Sequence, residues 1–407
     1  MKGKQPFLLL IVPLLLVLAA CSGSPPEGTL EAALTTPSAG KIYAAINASS
    51  TGKVSFRNNT SSSVTYTASE SAPWLTIESG GTGTLAANAT GTVRLRGTCG
   101  ATTTPRTTTL TIATPAQTKS SQVTLYCSAY NIQLIYNSSI TASQRTVFRQ
   151  AAARWSRIIT GDVPNATFTK AAGECGAGEP AFNGTVDDLV IYAAVEPIDG
   201  PGGILGSAGP CFIRTPSGLS IYGTMRFDSA DVANLEAGGT FSAVILHEMG
   251  HVLGIGTLWD FKGLISYTPT TSSCRTTPTF TLAPVFTGTN ARIQYGILGG
   301  LGNVPIEDGG GAGTRCGHWD EEIFDNELMT GFLNSQVSNP LSKLTIGSLA
   351  DLGYQVNYAN ASSYSIPACS PTCLRLPSVG INIVAQEEIL KPVAAVTSDG
   401  KVINLSK

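Results

Sequence analysis

His247-Glu248-Met249-Gly250-His251-Val252-Leu253-Gly254 is the stretch that decides how this chain is built. Residues four apart stand one above the other on a helix, so His247 and His251 can turn their imidazoles toward one metal ion while Glu248 projects beside it. The flanking sequence favours a buried helix, because Phe241, Val244, Ile245, Met249 and Val252 recur at helical spacing. Thr240 or Ser242 is expected to cap its start, and Gly254 to end it in a left-handed conformation. The 407-residue chain has three histidines in all, and the third, His318, follows His251 by 67 residues. Catalytic zinc commonly takes three protein ligands and keeps one position open, so His247, His251 and His318 make the candidate metal set. A carboxylate third ligand from Glu321, Glu322 or Glu327 is the alternative; it would leave His318 without a role.

The formal net charge is −2 and only 13% of residues are charged, with no basic block, which argues against nucleic acid as a partner. Lys2 and Lys4 precede an apolar run from Phe7 to Ala20, too short to span a bilayer comfortably and laid out like a secretory signal. The run ends in Leu18-Ala19-Ala20-Cys21, which resembles a bacterial lipobox. That resemblance implies cleavage before Cys21, acylation of Cys21, and display on an outer membrane or cell surface. The other eight cysteines, Cys99, Cys127, Cys175, Cys211, Cys274, Cys316, Cys369 and Cys373, are an even number suited to an oxidising compartment. Sequential pairing is expected, since each neighbouring pair falls within one structural unit. If all eight pair, no thiol remains for a cysteine-based latency.

The chain divides accordingly into a signal at 1–20, a tether at 21–40, a β-rich module at 41–129, a catalytic domain at 130–360 and a tail or small β extension at 361–407. In the module, short alternating runs such as Val54/Phe56, Val93/Leu95, Leu110/Ile112 and Val123/Leu125 are separated by turn-rich segments, the pattern of a small antiparallel β-sandwich. Pro73-Trp74-Leu75-Thr76-Ile77 and the following Leu85 to Leu95 resemble the immunoglobulin-like BACON modules. This implies a spacer, with carbohydrate contact as a further role. From residue 130 the texture changes: strand signals at Tyr130–Tyr136, Leu189–Val195, Ile204–Ile213 and Ile221–Phe227, and a helix from Thr141 to Ile158, surround the approach to the histidine helix.

The histidine region resembles the leishmanolysin family of metzincin metallopeptidases. His247 to Gly254 matches the family's helix and turn. The common short metzincin pattern would put its third histidine at 257, where this chain has Thr257. Gly317-His318-Trp319 and Asn326-Glu327-Leu328-Met329-Thr330 instead match the family's distant third ligand and its methionine-containing turn, and Leu344 to Tyr354 resembles the helix that follows. The resemblance implies an α+β zincin-like catalytic domain, with His247, His251 and His318 holding one Zn2+ and Met329 lying beneath it.

Such a zinc ion lowers the pKa of water from about 16 toward about 7 and polarises a peptide carbonyl. Glu248 is then the general base of peptide hydrolysis rather than a ligand. No tyrosine follows the methionine turn, so zinc and backbone amides are expected to stabilise the oxyanion. The strand around Gly203 to Pro210 is expected to be a sheet edge that pairs with extended substrate, and residues 331–340 to line the pocket for the side chain after the cut. A bridge between Cys274 and Cys316 would fix the chain two residues before His318. The expected protein is a lipid-anchored zinc metalloendopeptidase acting on proteins or peptides. The alternative is an inactive adhesion or carbohydrate-binding lipoprotein that retains the zincin fold.

Overall fold

In the computed structural model, residues 34–269, 273–277, 279–334, 337–367, 382–384 and 387–405 are described. The signal, Cys21, Cys369 and Cys373 lie outside them, as does the start of the apolar run Val379 to Val384. The N-terminal unit holds β1 (Gly40–Ala45), β2 (Ser49–Arg57), β3 (Val64–Ser69), β4 (Leu75–Ser79), β5 (Thr82–Leu85), β6 (Thr90–Thr98), β7 (Arg106–Ala113) and β8 (Thr118–Ser128). They form one sheet ordered β1-β8-β7-β3-β5 and another ordered β2-β6-β4. Strand β6 shows why the sheets face each other. Gly91, Val93, Leu95 and Gly97 are buried while the residues between them are exposed, so one side of the pleat meets a core containing Val54, Phe56, Leu110, Ile112, Val123 and Leu125.

Two expectations change here. The sheets are not wholly antiparallel, because β1 runs parallel to β8. The tether also ends earlier than residue 40: Leu34 is already in the core and bridges to Asn58.

The second unit begins with β9 (Ile132–Tyr136), α1 (Ala142–Ile158), β10 (Ala166–Lys170), β11 (Phe182–Val186), β12 (Leu189–Glu196), β13 (Gly206–Arg214), β14 (Ser220–Asp228), α2 (Ser229–Ala237) and α3 (Phe241–Leu253). It continues with β15 (Ile265–Thr268), β16 (Leu282–Phe286), α4 (Thr289–Ile297), β17 (Val304–Pro305), α5 (Glu321–Phe324), β18 (Phe332–Asn334) and α6 (Lys343–Leu352). Last come β19 (Asn382–Val384), β20 (Glu387–Ile389), β21 (Ala394–Val396) and β22 (Val402–Asn404). The central sheet is ordered β22-β21-β13-β14-β12-β9, with β20 also on β13. Strands β9, β12 and β14 are parallel, and β13 runs against β14.

Strand β12 reads as a continuous apolar run because both of its faces are covered. Leu189, Ile191, Ala193 and Val195 face the large core shared with α1 and α3. Val190, Tyr192 and Ala194 face a second core with Phe168 and Val186 of the β10–β11 hairpin. Helix α1 starts with a capping box in which Thr141 and Gln144 satisfy each other's backbone amides. Within the segment expected as a tail or small β extension, β20 and β21 join this sheet, lying along β13. Among the described residues no helix is long and apolar enough to cross a membrane.

Candidate metal centre

Helix α3 carries His247, Glu248 and His251, all buried. Of the two residues expected to cap its start, Thr240 is the N-cap residue but makes no side-chain cap bond, its hydroxyl going to the Leu235 carbonyl, and Ser242 lies inside the helix. Its end is as expected, with Gly254 at φ +111°.

The turn that follows brings in the third histidine. Gly256 sits at φ +71°, and a side chain there would overlap the Gly317 carbonyl oxygen and lie 2.7 Å from its carbon. Only glycine allows this close approach, which sets Gly317-His318 against the end of the helix. Thr257, at the short-pattern position, donates its hydroxyl to the His251 carbonyl at 2.7 Å and thus serves the helix end.

The three imidazoles meet at their Nε2 atoms. His251 Nε2 lies 3.0 Å from those of His247 and His318, which are 3.2 Å from each other. On the outer side, each Nδ1 faces a backbone carbonyl: Leu328 at 2.6 Å for His247, Ile255 at 2.8 Å for His251, and Thr314 at 2.8 Å for His318. A carbonyl can only accept, so each Nδ1 carries the proton and each Nε2 turns a lone pair inward. Three lone pairs converging in a buried site repel one another unless a cation lies among them. Zinc–nitrogen bonds of about 2.0–2.1 Å at tetrahedral angles separate ligand nitrogens by about 3.3–3.4 Å, close to the separations here. The donor set therefore fits zinc.

Met329 packs under the helix. A Cβ on Gly250 would lie 2.9 Å from its sulfur and 3.2 Å from Trp155 of α1, so glycine at 250 makes room for both. Trp155 also donates its indole N–H to the Leu246 carbonyl at 2.9 Å, tying α1 to α3.

Glu327 organises the methionine turn. It is fully buried and accepts from the Met329 amide at 2.7 Å, the Ser342 amide and hydroxyl at 3.0 and 2.6 Å, and the Thr345 hydroxyl at 2.7 Å. Trp319 bonds the same Thr345 hydroxyl through its indole N–H at 2.8 Å. Burial pushes the Glu327 carboxyl above its ordinary pKa, against the lowering effect of those donors. Glu327 thus supports the turn, and the histidine cluster contains no carboxylate among the described residues, which removes the basis for a carboxylate third ligand.

Disulfides join Cys99 to Cys127, Cys175 to Cys211, and Cys274 to Cys316. Cys316 stands two residues before His318. Its neighbour in the bridge adjoins Arg275, whose guanidinium donates to the Gly256 carbonyl at 2.8 Å. Strand β13 is not a free edge, since β20 pairs with it from Gly206 to Ala208.

Gly256, Glu327 as a support, Arg275 and the carbonyl of Thr314 were not singled out by the sequence for these roles. A glycine two residues past the helix-ending Gly254 was the available signal for the first. The others depend on distant chain segments meeting.

These features define a buried cluster of three histidines able to hold a metal ion, on a scaffold of strands with some helices that follows a β-rich N-terminal unit. Residues 179–373 match the family model of leishmanolysin, peptidase family M8, and residues 35–128 match that of the viral BACON domain. Over 67 residues the chain is 37% identical to a leishmanolysin-like peptidase of Drosophila pseudoobscura pseudoobscura, which is 16% of this chain and 9% of that protein. Over 60 residues it is 42% identical to a leishmanolysin-like peptidase of Caenorhabditis elegans, 14% of this chain and 9% of that one. The chain thus spans about a tenth of the length of these curated relatives. In its histidine-bearing region it is leishmanolysin-like, and in its N-terminal unit BACON-like.

Proposed function

We propose that this protein is a zinc metalloendopeptidase of the metzincin type, exported and held at a bacterial outer membrane or cell surface by acylated Cys21. The observation that carries the catalytic part is the convergence of three buried Nε2 atoms, each aligned by a carbonyl on its far side. The leishmanolysin-like match over residues 179–373 supports it.

Zinc held by His247, His251 and His318 would supply Lewis acidity, lowering the pKa of water toward about 7 and polarising the peptide carbonyl. The chain's own residues do the rest. Glu248, buried one residue after His247, takes the proton of the attacking water and returns it to the departing amine as the C–N bond breaks. The Leu328, Ile255 and Thr314 carbonyls keep the imidazoles in the ligating tautomer and orientation. Met329 and Trp155, packed at Gly250, hold the histidine helix at a fixed height. The N-terminal unit, read as immunoglobulin-like, serves as a spacer above the membrane and offers a surface for carbohydrate contact.

Cleavage of casein by the purified soluble part tests the activity. It should stop with a chelator and return with zinc, whereas chelator-insensitive cleavage would exclude this chemistry. Labelling with radioactive palmitate, lost in Cys21→Ala, tests the anchor; an unlabelled wild-type protein would count against it.

A further inference from the structure

Two described stretches of the C-terminal segment lie beside the metal centre. On one side, β19 pairs antiparallel with β18, Val384 opposite Phe332. Strand β18 begins three residues after Met329, and a side chain on the intervening Gly331 would lie 3.8 Å from the His318 ring. On the other side, β20 pairs parallel with β13 from Gly206 to Ala208, and the Leu390 amide donates to the Ala208 carbonyl at 2.9 Å.

The fit is close. Ile389 is buried, and its Cδ1 abuts Gly317, the residue before His318, where any side chain at 317 would collide with it. Arg275 holds the Ile389 carbonyl at 3.3 Å with the same guanidinium that holds Gly256. A Cβ on Gly209 would lie 2.6 Å from the Leu390 carbonyl oxygen, so β13 is also shaped to receive the segment. An extended peptide adds to a sheet edge through backbone hydrogen bonds, and here this chain's own residues occupy that position.

We propose that residues 387–390, together with β19 on β18, form an internal strap along the β13 edge beside the histidine centre and hold the full chain in a low-activity state. The proposal rests on the peptidase reading above. Displacing the strap frees the β13 edge and the β18 edge for an incoming peptide, while β21 and β22 stay in the sheet. Burying one isoleucine side chain is equivalent to roughly a ten- to hundredfold shift in a two-state equilibrium, so loss of Ile389 alone should be measurable.

The test replaces residues 382–390 with nine Gly and Ser residues in the otherwise full chain and compares kcat/KM on an internally quenched peptide. A rise of tenfold or more is expected, and Ile389→Gly should move in the same direction. Unchanged kcat/KM in both would overturn the strap. A labelled peptide of residues 380–391 should bind the replaced chain carrying Glu248→Gln and be displaced from it by unlabelled peptide. If no form cleaves but that peptide binds, the strap survives and the peptidase reading fails. If cleavage is equal in all forms and the peptide does not bind, the strap fails and the peptidase reading stands.

Discussion

Replacing Gly256 with alanine should damage the metal centre through a residue that touches neither zinc nor substrate. Two costs combine. At φ +71° an L-residue costs about 1–2 kcal/mol. The new Cβ would also lie 2.7 Å from the Gly317 carbonyl carbon and 2.9 Å from its Cα, against an ordinary contact of about 3.5–4.0 Å. Overpacking of this kind costs about 1–3 kcal/mol, giving a total of about 2–5 kcal/mol. For a unit of this size each kcal/mol lowers Tm by roughly 2–4 °C, so a fall of roughly 4–20 °C is expected. Relief requires Gly317 to retreat by about 1 Å, beyond the ±0.2 Å or so within which ligand distances are held, and His318 is the next residue. Zinc affinity, read by chelator competition, should therefore fall at least tenfold. Gly263→Ala is the control, since Gly263 has φ +65° with nothing near its missing side chain and bears the conformational cost alone. Equal Tm losses in the two variants, with wild-type zinc affinity in Gly256→Ala, would refute the close-approach account.

Other perturbations separate the parts of the site. His318→Ala should lose both zinc and hydrolysis; normal metal content by mass spectrometry would show that the third ligand lies elsewhere. Glu327→Gln puts an amide N–H₂ where the carboxylate accepts four hydrogen bonds, so it should cost about 1–3 kcal/mol and weaken zinc binding about ten- to hundredfold. Thermal melting and metal titration would register either result, and wild-type values in both would remove Glu327 from the support of the turn. The Cys274–Cys316 bridge closes a loop with a sequence separation of 42, worth about 4 kcal/mol in the chain-entropy treatment. Converting both cysteines to serine should lower zinc affinity, and unchanged affinity would mean that the bridge does not hold His318 in place.

The histidine helix was legible because its information is local. A spacing of four, a following glutamate and a helix-ending Gly254 need no distant partner to be read. His318 was legible by scarcity and by its resemblance to a known pattern rather than by spacing. Leu189–Val195 was legible as a strand, whereas the covering of both its faces depends on α1, α3 and the β10–β11 hairpin packing against it. Where the outcome depends on which segments meet, the sequence was silent or misleading. Gly203 to Pro210 was expected to be an open edge from its place in the chain order before the histidine helix, yet backbone pairing of Gly206–Ala208 with residues 387–389 occupies that edge. Nothing in the pattern of β1 distinguishes a parallel neighbour from an antiparallel one. Glu327 looks like a potential ligand until Ser342 and Thr345, brought up by α6, occupy its oxygens.

The most direct test of the account is zinc stoichiometry measured beside peptide hydrolysis, for the wild-type chain and for Glu248→Ala, each with and without replacement of residues 382–390 so that a closed strap cannot mask activity. One zinc ion is expected in every form, with hydrolysis retained wherever Glu248 is present and reduced by about 10²–10⁴-fold where it is not. A wild-type chain without zinc, or a Glu248→Ala chain that cleaves as fast as its parent, would contradict it.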